Sequence, residues 1–271
     1  MFAEFDAMIS GRRAFCRLFL SLCVLVGAAW AAQAQQTFTV TKTADTNNSC
    51  NPADCSLREA ILAANSNPGA DIIAFKIGSG PATITPLTKL PTISESVVID
   101  ATTQPGFAGQ PIIEISGVSA PANTIGLNIA GDHVTVRGLV INRFSTSYGI
   151  SVGGIGHHTI AGNFVGTDLT GTIAQGNFTG IGVSSPDNVI GGTTAADRNI
   201  ISGNASNSGL GLAGASSTNN RVLGNYIGTD VTGTIALGNN VGVYIIQAAG
   251  GNIIGGSAPG SANLISGNFQ G

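Results

Sequence analysis

The chain has 271 residues, of which 9% are charged, 43% are apolar and 39 are glycine. This composition excludes a disordered chain, which would be rich in charge and poor in apolar residues. Without the predicted leader described below, eight Lys and Arg stand against twelve Asp and Glu, hence a net charge of −4. Mild acidity without a basic patch disfavours nucleic acid and anionic membrane surfaces as partners.

The first 34 residues have the three parts of a signal peptide. Arg12, Arg13 and Arg17 supply a positive flank, residues 18–32 form an apolar run, and residues 32–34 are Ala-Gln-Ala, a typical cleavage site. The run is shorter than the ~20 apolar residues that a membrane-spanning helix needs, although an uncleaved anchor is the alternative. We therefore expect a secreted or cell-surface protein whose mature chain, from residue 35 onward, has no membrane span.

Residues 35–80 predict a cap at the N-terminal end of the fold. Residues 37–43 alternate polar and apolar side chains, as a half-buried strand does. Cys50 and Cys55 are the two cysteines outside the leader, and an even pair in an exported chain predicts a disulfide. Metal binding by these two thiols alone would leave a tetrahedral site half empty, so it is disfavoured.

One amphipathic helix is predicted directly after the cysteine pair, at residues 56–65. Ser56 and Glu59 have the spacing of a capping box, in which each side chain accepts a hydrogen bond from a backbone N–H of the first turn. Arg58 is expected on the solvated face of this helix, so neither charged residue is interpreted as catalytic. The apolar face can cover the open end of a stack of strands, and its members are Leu57, Ala60, Ile61 and Ala64.

Residues 81–271 are built from repeats. Residues 163–177 and 225–239 are identical at eleven of fifteen positions and start 62 residues apart, and a second block, residues 188–204, returns as residues 252–268. Self-similarity at such a period predicts a solenoid, in which each unit buries its apolar face only against its neighbours. The chain stops at Gly271, where the repeat predicts another coil, so we expect a truncated solenoid.

A second recurrent element is a glycine followed by an apolar, a variable and another apolar residue. Because like elements recur after a full coil, they should stack in parallel and not pair as hairpins. We therefore predict an all-β fold, a parallel β-helix with a short N-terminal capping helix. The elements begin at Gly126, Gly149, Gly180, Gly209 and Gly242.

A family resemblance rests on the cap motif and the repeats together. Residues 55–61 are Cys-Ser-Leu-Arg-Glu-Ala-Ile, and the repeats share the pattern Gly-Thr-Asp-x-Thr-Gly-Thr-x-Ala-x-Gly-Asn. Over essentially all of the mature chain, this resembles the bacterial exported right-handed parallel β-helix proteins that open with a CSLREAI-type motif. The resemblance implies a right-handed, pectate-lyase-like solenoid on a secreted or surface protein, and it assigns no catalytic residues.

Asp168 and Asp230 are the acidic residues of the repeated block and are expected two coils apart on one face. Their neighbours are glycines and threonines, whose side chains and backbone favour turns held by the aspartate itself. Calcium is the alternative considered, because oxygen ligands abound, although the sequence has no dense aspartate cluster. A glycosidase carboxylate pair is the third interpretation.

Four basic residues complete the set of candidate binding residues. Arg137 and Arg143 could bind an acidic sugar. His157 and His158 form the most polar aromatic stretch, and we interpret them as surface-turn residues that Asp132 or Asp168 could approach through the coil.

The repeated asparagines are interpreted as structural. Asparagine tolerates the left-handed backbone conformation of sharp bends, and stacked amides can form a ladder. The residues concerned are Asn163, Asn188, Asn199, Asn225, Asn252 and Asn263.

Two functions fit these patterns. The first is a structural or adhesin-like exported module without catalytic activity or cofactor, whose stacked faces contact carbohydrate or cell-surface proteins. The second is a polysaccharide lyase or glycoside hydrolase of the β-helix type, which needs acidic groups and a base around one cleft. The sequence predicts no oligomeric state.

Overall fold

The recurrent elements of the sequence are the strands of three sheets. The computed structural model describes residues 34–247 and 249–270, so the predicted signal peptide lies outside the described residues apart from Ala34. These residues form one α-helix and twenty strands, numbered here in chain order, and all pairings between the strands are parallel.

Sheet 1 has eight strands, and its order follows the chain. The strands are β1 (Thr37–Val40), β2 (Asp71–Phe75), β4 (Val97–Asp100), β7 (Thr135–Arg137), β10 (Thr159–Ala161), β13 (Val189–Gly191), β16 (Arg221–Leu223) and β19 (Ile253–Ile254).

Sheet 2 has seven strands and sheet 3 has five. Sheet 2 contains β3 (Ala82–Ile84), β5 (Ile113–Ser116), β8 (Leu139–Asn142), β11 (Phe164–Val165), β14 (Ile200–Ile201), β17 (Tyr226–Ile227) and β20 (Leu264–Ile265). Sheet 3 contains β6 (Leu127–Ile129), β9 (Tyr148–Val152), β12 (Thr179–Val183), β15 (Ser208–Ala213) and β18 (Val241–Ile246).

From β4 to β18, each coil contributes one strand to each sheet in turn, as in β7, β8, β9 and then β10, β11, β12. The fold is therefore the predicted parallel β-helix. The predicted Gly-apolar-x-apolar elements all fall in sheet 3, where the strands pair in parallel. The 62-residue period spans two coils, because β11 and β17 have one strand, β14, between them.

Apolar side chains stack in columns inside the coils. In sheet 1, Val136, Ile160, Ile190 and Val222 are successive partners and have no exposed surface. Ile227, which the repeat predicts to be interior, is also fully buried. Each coil thus buries its apolar face against the coils above and below, which is the main source of stability in a solenoid.

Asparagine ladders occupy the three corners of the coil and confirm the predicted stacking of amides, whereas the left-handed backbone expected for the six repeated asparagines is wrong, because none of them has a positive φ. In each ladder, the side-chain Oδ1 accepts a hydrogen bond of 2.8–3.2 Å from the backbone N–H of the residue one coil earlier. The ladders thereby satisfy buried backbone groups that the turns would otherwise leave unpaired. Their members are Asn188, Asn220 and Asn252; Asn163, Asn199, Asn225 and Asn263; and Asn177, Asn204, Asn239 and Asn268.

The predicted cap features at the N-terminal end are confirmed. Cys50 and Cys55 form a disulfide. Helix α1 (Leu57–Ser66) starts at the capping box of Ser56 and Glu59, and its buried residues are apolar except for Glu59. The segment 35–80 also contributes strands to the coil stack, because β1 pairs with β2 and β2 with β4. None of the described helices is long and apolar enough to cross a bilayer.

The expected position of Arg58 on a solvated helix face is wrong. Its side chain is 11% exposed and forms two hydrogen bonds, of 2.8 and 2.9 Å, to the carboxylate of Asp45. Two more of its N–H groups donate to the carbonyl oxygens of Thr88 and Lys89. Loops from two distant segments cover this face of α1, so the arginine joins the cap to the first coils.

Candidate functional site

One pocket on the outside of the coils combines cationic and apolar side chains. It has a volume of about 300 Å³ and lies where sheet 1 turns into sheet 2. Arg137 reaches it from the end of β7, and Arg198 from the loop between β13 and β14. We call it the arginine pocket. Phe107, Gln110, Pro111, Phe164, Ala196, Ile200 and Val231 also line it.

The two arginines of this pocket differ in how they are held. Arg137 is half exposed, and its nearest ionic partner is Asp100, with 3.6 Å between Nε and Oδ1. Arg198 lies over the ring of Tyr226, with Cζ 4.1 Å from the ring centroid, and its Nε donates to the carbonyl oxygen of Gly224 at 3.1 Å. Within the described chain, the terminal amino groups of both guanidinium groups have no hydrogen-bond partner. They are free to donate to an anion.

Part of the pocket lining, Phe164, Ile200 and Val231, belongs to a second apolar cluster, separate from the interior of the coils. Val140, Phe164 and Ile200 point outward from three neighbouring strands of sheet 2 and are nearly fully buried. They are covered by Leu169 and Val231, which belong to the two long loops of the repeat. These apolar side chains exclude water from one side of the pocket.

These long loops, residues 166–176 and 228–238, meet directly. The backbone N–H of Val231 donates to the carbonyl oxygen of Gly171 at 3.0 Å. The loops start in alternate coils, and the coil between them passes from β14 to β15 by a short turn at residues 202–207, which leaves room for the contact. The alternation of the two block types in the sequence therefore places the two long loops in direct contact.

Asp168 and Asp230 stabilise the turns of these loops through hydrogen bonds, as the glycine- and threonine-rich sequence around them predicts. The carboxylate of Asp168 accepts hydrogen bonds from the Thr170 hydroxyl at 2.8 Å and from the N–H groups of Thr172 and Ile173 at 3.2 and 3.1 Å. Asp230 accepts the same three bonds in the second loop. Most of the acceptor capacity of each carboxylate is therefore used within its own turn.

The same contacts determine the charge of these aspartates. Partial burial raises the pKa of Asp168, but the hydroxyl of Thr170 and the backbone N–H groups outweigh burial and lower it below its ordinary value. Burial and the corresponding donors have the same opposed effects on Asp230, and its pKa is also lowered. Both carboxylates remain ionised at neutral pH, and neither lines the arginine pocket.

Arg143 does not join Arg137. It has a left-handed backbone conformation, with φ 60°, and its Nη1 lies 3.5 Å from Oε1 of Glu114 and 3.3 Å from Oγ of Ser116. It borders a smaller pocket of about 200 Å³ together with Phe144. Of the six residues predicted to bind a ligand, only Arg137 lines the arginine pocket.

The two predicted histidines are in different environments. His157 is exposed, and its Nδ1 is 3.1 Å from Oδ1 of Asp132, one of the two aspartates expected to approach it. His133, which sequence reasoning missed, contacts the same oxygen at 2.8 Å. These three residues lie at the corner between sheets 3 and 1, on the other edge of sheet 1 from the arginine pocket.

His158 is not a surface-turn residue, so that interpretation is wrong. It is fully buried at the start of the first asparagine ladder, where its N–H donates to Oδ1 of Asn188. Nδ1 accepts from the N–H of Val134 at 3.0 Å, so Nε2 carries the proton and donates to the carbonyl of Gly153 at 2.9 Å. Burial lowers the pKa of His158, which favours this neutral form.

Comparison with known proteins does not assign this site. No protein-family model matches the chain, and no curated protein matches it.

The geometry of the arginine pocket indicates anion binding. Two guanidinium groups with free donors can form paired hydrogen bonds to a carboxylate or sulfate group. Among the residues that the structure describes, the lining contains no carboxylate and no histidine. General acid–base chemistry at the pocket would need such groups within hydrogen-bond reach of the substrate.

Proposed function

We propose that this chain is an exported, cell-surface or secreted β-helix module that binds an acidic glycan in the arginine pocket without cleaving it. The observation that carries this proposal is the pairing of Arg137 and Arg198 beside the apolar residues of the pocket lining. The family resemblance of the cap and repeats, and the predicted signal peptide, support export.

The pocket fits the two kinds of surface that a uronic acid sugar presents. Its carboxylate can accept from the guanidinium groups, and charge-assisted bonds of this kind are about twice as strong as neutral ones. Its C–H face is apolar and can pack on Phe107 and Val231, the partly exposed large apolar residues of the lining. A neutral sugar would offer no anionic acceptor to the terminal amino groups of the two guanidinium groups, so the pocket favours acidic chains.

The arrangement supports binding better than cleavage. Inverting glycosidases place two carboxyl groups about 6.5–9.5 Å apart and retaining ones about 5–5.5 Å. The lining residues include no such pair. Asp100, which contacts Arg137 at the margin, has its Oδ1 engaged by the hydroxyl and the N–H of Thr102. A lyase or hydrolase remains the competing function, and the assay below separates the two.

The test is titration calorimetry of the purified protein with oligogalacturonate and oligoalginate, using neutral dextran oligosaccharides as the reference. We expect binding of the acidic chains only. Arg137→Gln should weaken it about tenfold, equivalent to about 1.4 kcal/mol. Arg198→Lys keeps the charge but loses the planar fork and should also weaken binding. Arg221→Gln, an exposed arginine on β16, is the matched control and should bind as the parent does.

The same samples are analysed for released products by mass spectrometry. Equal affinity for acidic and neutral oligosaccharides, or unchanged affinity in Arg137→Gln, would contradict glycan recognition by the pocket. Oligosaccharide release that is lost in Arg137→Gln would instead establish the lyase or hydrolase function.

A further inference from the structure

Three side chains at a second place on the surface converge on one point. Asp132 and His133 belong to the turn between β6 and β7, and His157 belongs to the equivalent turn one coil later, between β9 and β10. Oδ1 of Asp132 lies 2.8 Å from Nδ1 of His133 and 3.1 Å from Nδ1 of His157. The two imidazole rings are stacked, with centroids 4.7 Å apart and planes inclined by 13°.

The backbone holds this cluster firmly. The N–H of His133 donates to the carbonyl oxygen of Gly156, and the N–H of His157 donates to that of Pro186 in the next coil. Asp132 also pairs with Gly156 in a parallel bridge. The cluster is therefore attached to the coil stack at both turns.

The corner itself does not require histidine. His133 and His157 have φ values of 51° and 59°, in the left-handed region, and Asp187 and Asn219 occupy the same position in the next two coils with φ 57°. Aspartate and asparagine are the residues that ordinarily accept this conformation. The backbone of this corner therefore does not explain why two histidines stack beside an aspartate here.

We propose that Asp132, His133 and His157 bind a divalent transition-metal ion of the zinc or copper class, through Nδ1 of each histidine and a carboxylate oxygen. This site is separate from the arginine pocket and does not depend on the function proposed for it.

The donor set and its spacing fit such an ion. Imidazole nitrogen with one carboxylate suits zinc, copper and nickel, whereas calcium and magnesium take oxygen ligands. Two ligands each about 2.1 Å from a tetrahedral metal are about 3.4 Å apart. The three ligand atoms already lie within 4.8 Å of one another, and the two rings rotate out of their parallel stack so that both Nδ1 lone pairs point to the ion.

Three protein ligands leave a coordination position open. The side chains of Asp132, His133 and His157 are 37%, 64% and 45% exposed, so water or a donor group from a partner can reach the ion.

The test is calorimetric titration of the untagged, purified protein with zinc chloride and, separately, copper chloride. We expect one ion per chain. Asp132→Asn, His133→Asn and His157→Asn should each weaken binding by at least about tenfold, because removal of even an outer-shell partner typically costs 10–100-fold. Asparagine is chosen for the histidine positions because it tolerates their positive φ.

Asp187→Asn is the matched control, because Asp187 occupies the equivalent corner position one coil further on and lies outside the cluster. It should bind as the parent does. The copper-loaded protein should also show nitrogen hyperfine coupling in its electron paramagnetic resonance spectrum, which His157→Asn reduces.

Circular dichroism verifies that each variant is folded. Metal affinity in His133→Asn and His157→Asn equal to that of the parent would overturn the proposal, as would the absence of measurable binding by the parent at millimolar zinc and copper.

Discussion

Glu59→Gln is the substitution that best tests the buried polar centre of the N-terminal cap. Glu59 is 1% exposed. Its Oε1 accepts from the hydroxyl of Thr46 and the N–H of Asn48, both at 2.7 Å, and its Oε2 accepts from the N–H of Ser56 at 2.8 Å. Glutamine keeps one acceptor oxygen, but its amide group would face another donor in place of the second oxygen.

The size of the effect follows from the acidity of this carboxyl group. Burial raises the pKa of Glu59, but the backbone N–H groups of Ser56 and Asn48, the Thr46 hydroxyl and the Lys42 ammonium outweigh burial and lower it to about 2 from 4.5. The difference corresponds to roughly 3 kcal/mol of stability for the ionised form. Because the folded-state pKa is lowered, this stabilisation is fully present above pH ~4.5 and is lost as the pH falls toward 2.

The assay combines urea unfolding with hydrogen exchange of the amides of α1, since coils of a solenoid can unfold locally. At pH 7 we expect the variant to lose roughly 2–3 kcal/mol in protection of α1, and the difference from the parent should shrink as the pH is lowered from 4.5 to 2. Glu95→Gln is the control, because the Glu95 side chain has no hydrogen bond or ion pair within the described chain. A difference that is the same at pH 7 and at pH 2.5 would refute the reasoning.

Two further predictions concern the coil interior. Asn199→Ala removes the acceptor of the Asn163 N–H, at 2.9 Å, and the donor to the Ile160 carbonyl, at 2.7 Å. It should lower the free energy of unfolding in urea by roughly 2–5 kcal/mol. An unchanged urea midpoint would show that the ladder does not stabilise the coil. Ile227→Asp places a carboxylate in the apolar column and should unfold the surrounding coils, as measured by hydrogen exchange. Full protection of the amides around β17 from exchange would contradict the interior position of residue 227.

The cap and the coil interior could be predicted from the sequence because their determinants are local or repeated. The capping box of Ser56 and Glu59 requires only three residues of spacing, and the Cys50 and Cys55 pair closes a short loop. The interior position of Ile227 follows from the repeat, because its counterpart in the first copy, Val165, is also apolar and fully buried. Arg58 could not be placed in this way, because Asp45, Thr88 and Lys89 reach it from distant segments.

The candidate sites could be predicted only in part. Arg137 and His157 stand out as charged or polar residues among turns. Arg198 carries no motif, and its role beside Arg137 depends on the coil stack bringing residues 61 positions apart to one pocket. His133 similarly becomes a neighbour of His157 only when successive turns stack. His158 is polar but buried, because it lies at the start of an asparagine ladder.

The sequence by itself determined the period, the parallel stacking and the turn-forming role of Asp168 and Asp230, because these depend on patterns within one coil or between identical blocks. Only the tertiary structure decided which side chains meet across coils. Successive and alternate coils bring together residues that lie 24 to 60 positions apart in the chain, as the stacking of His133 on His157 and the hydrogen bond between Val231 and Gly171 show. Surface sites on a solenoid are therefore properties of the stack and not of any one coil.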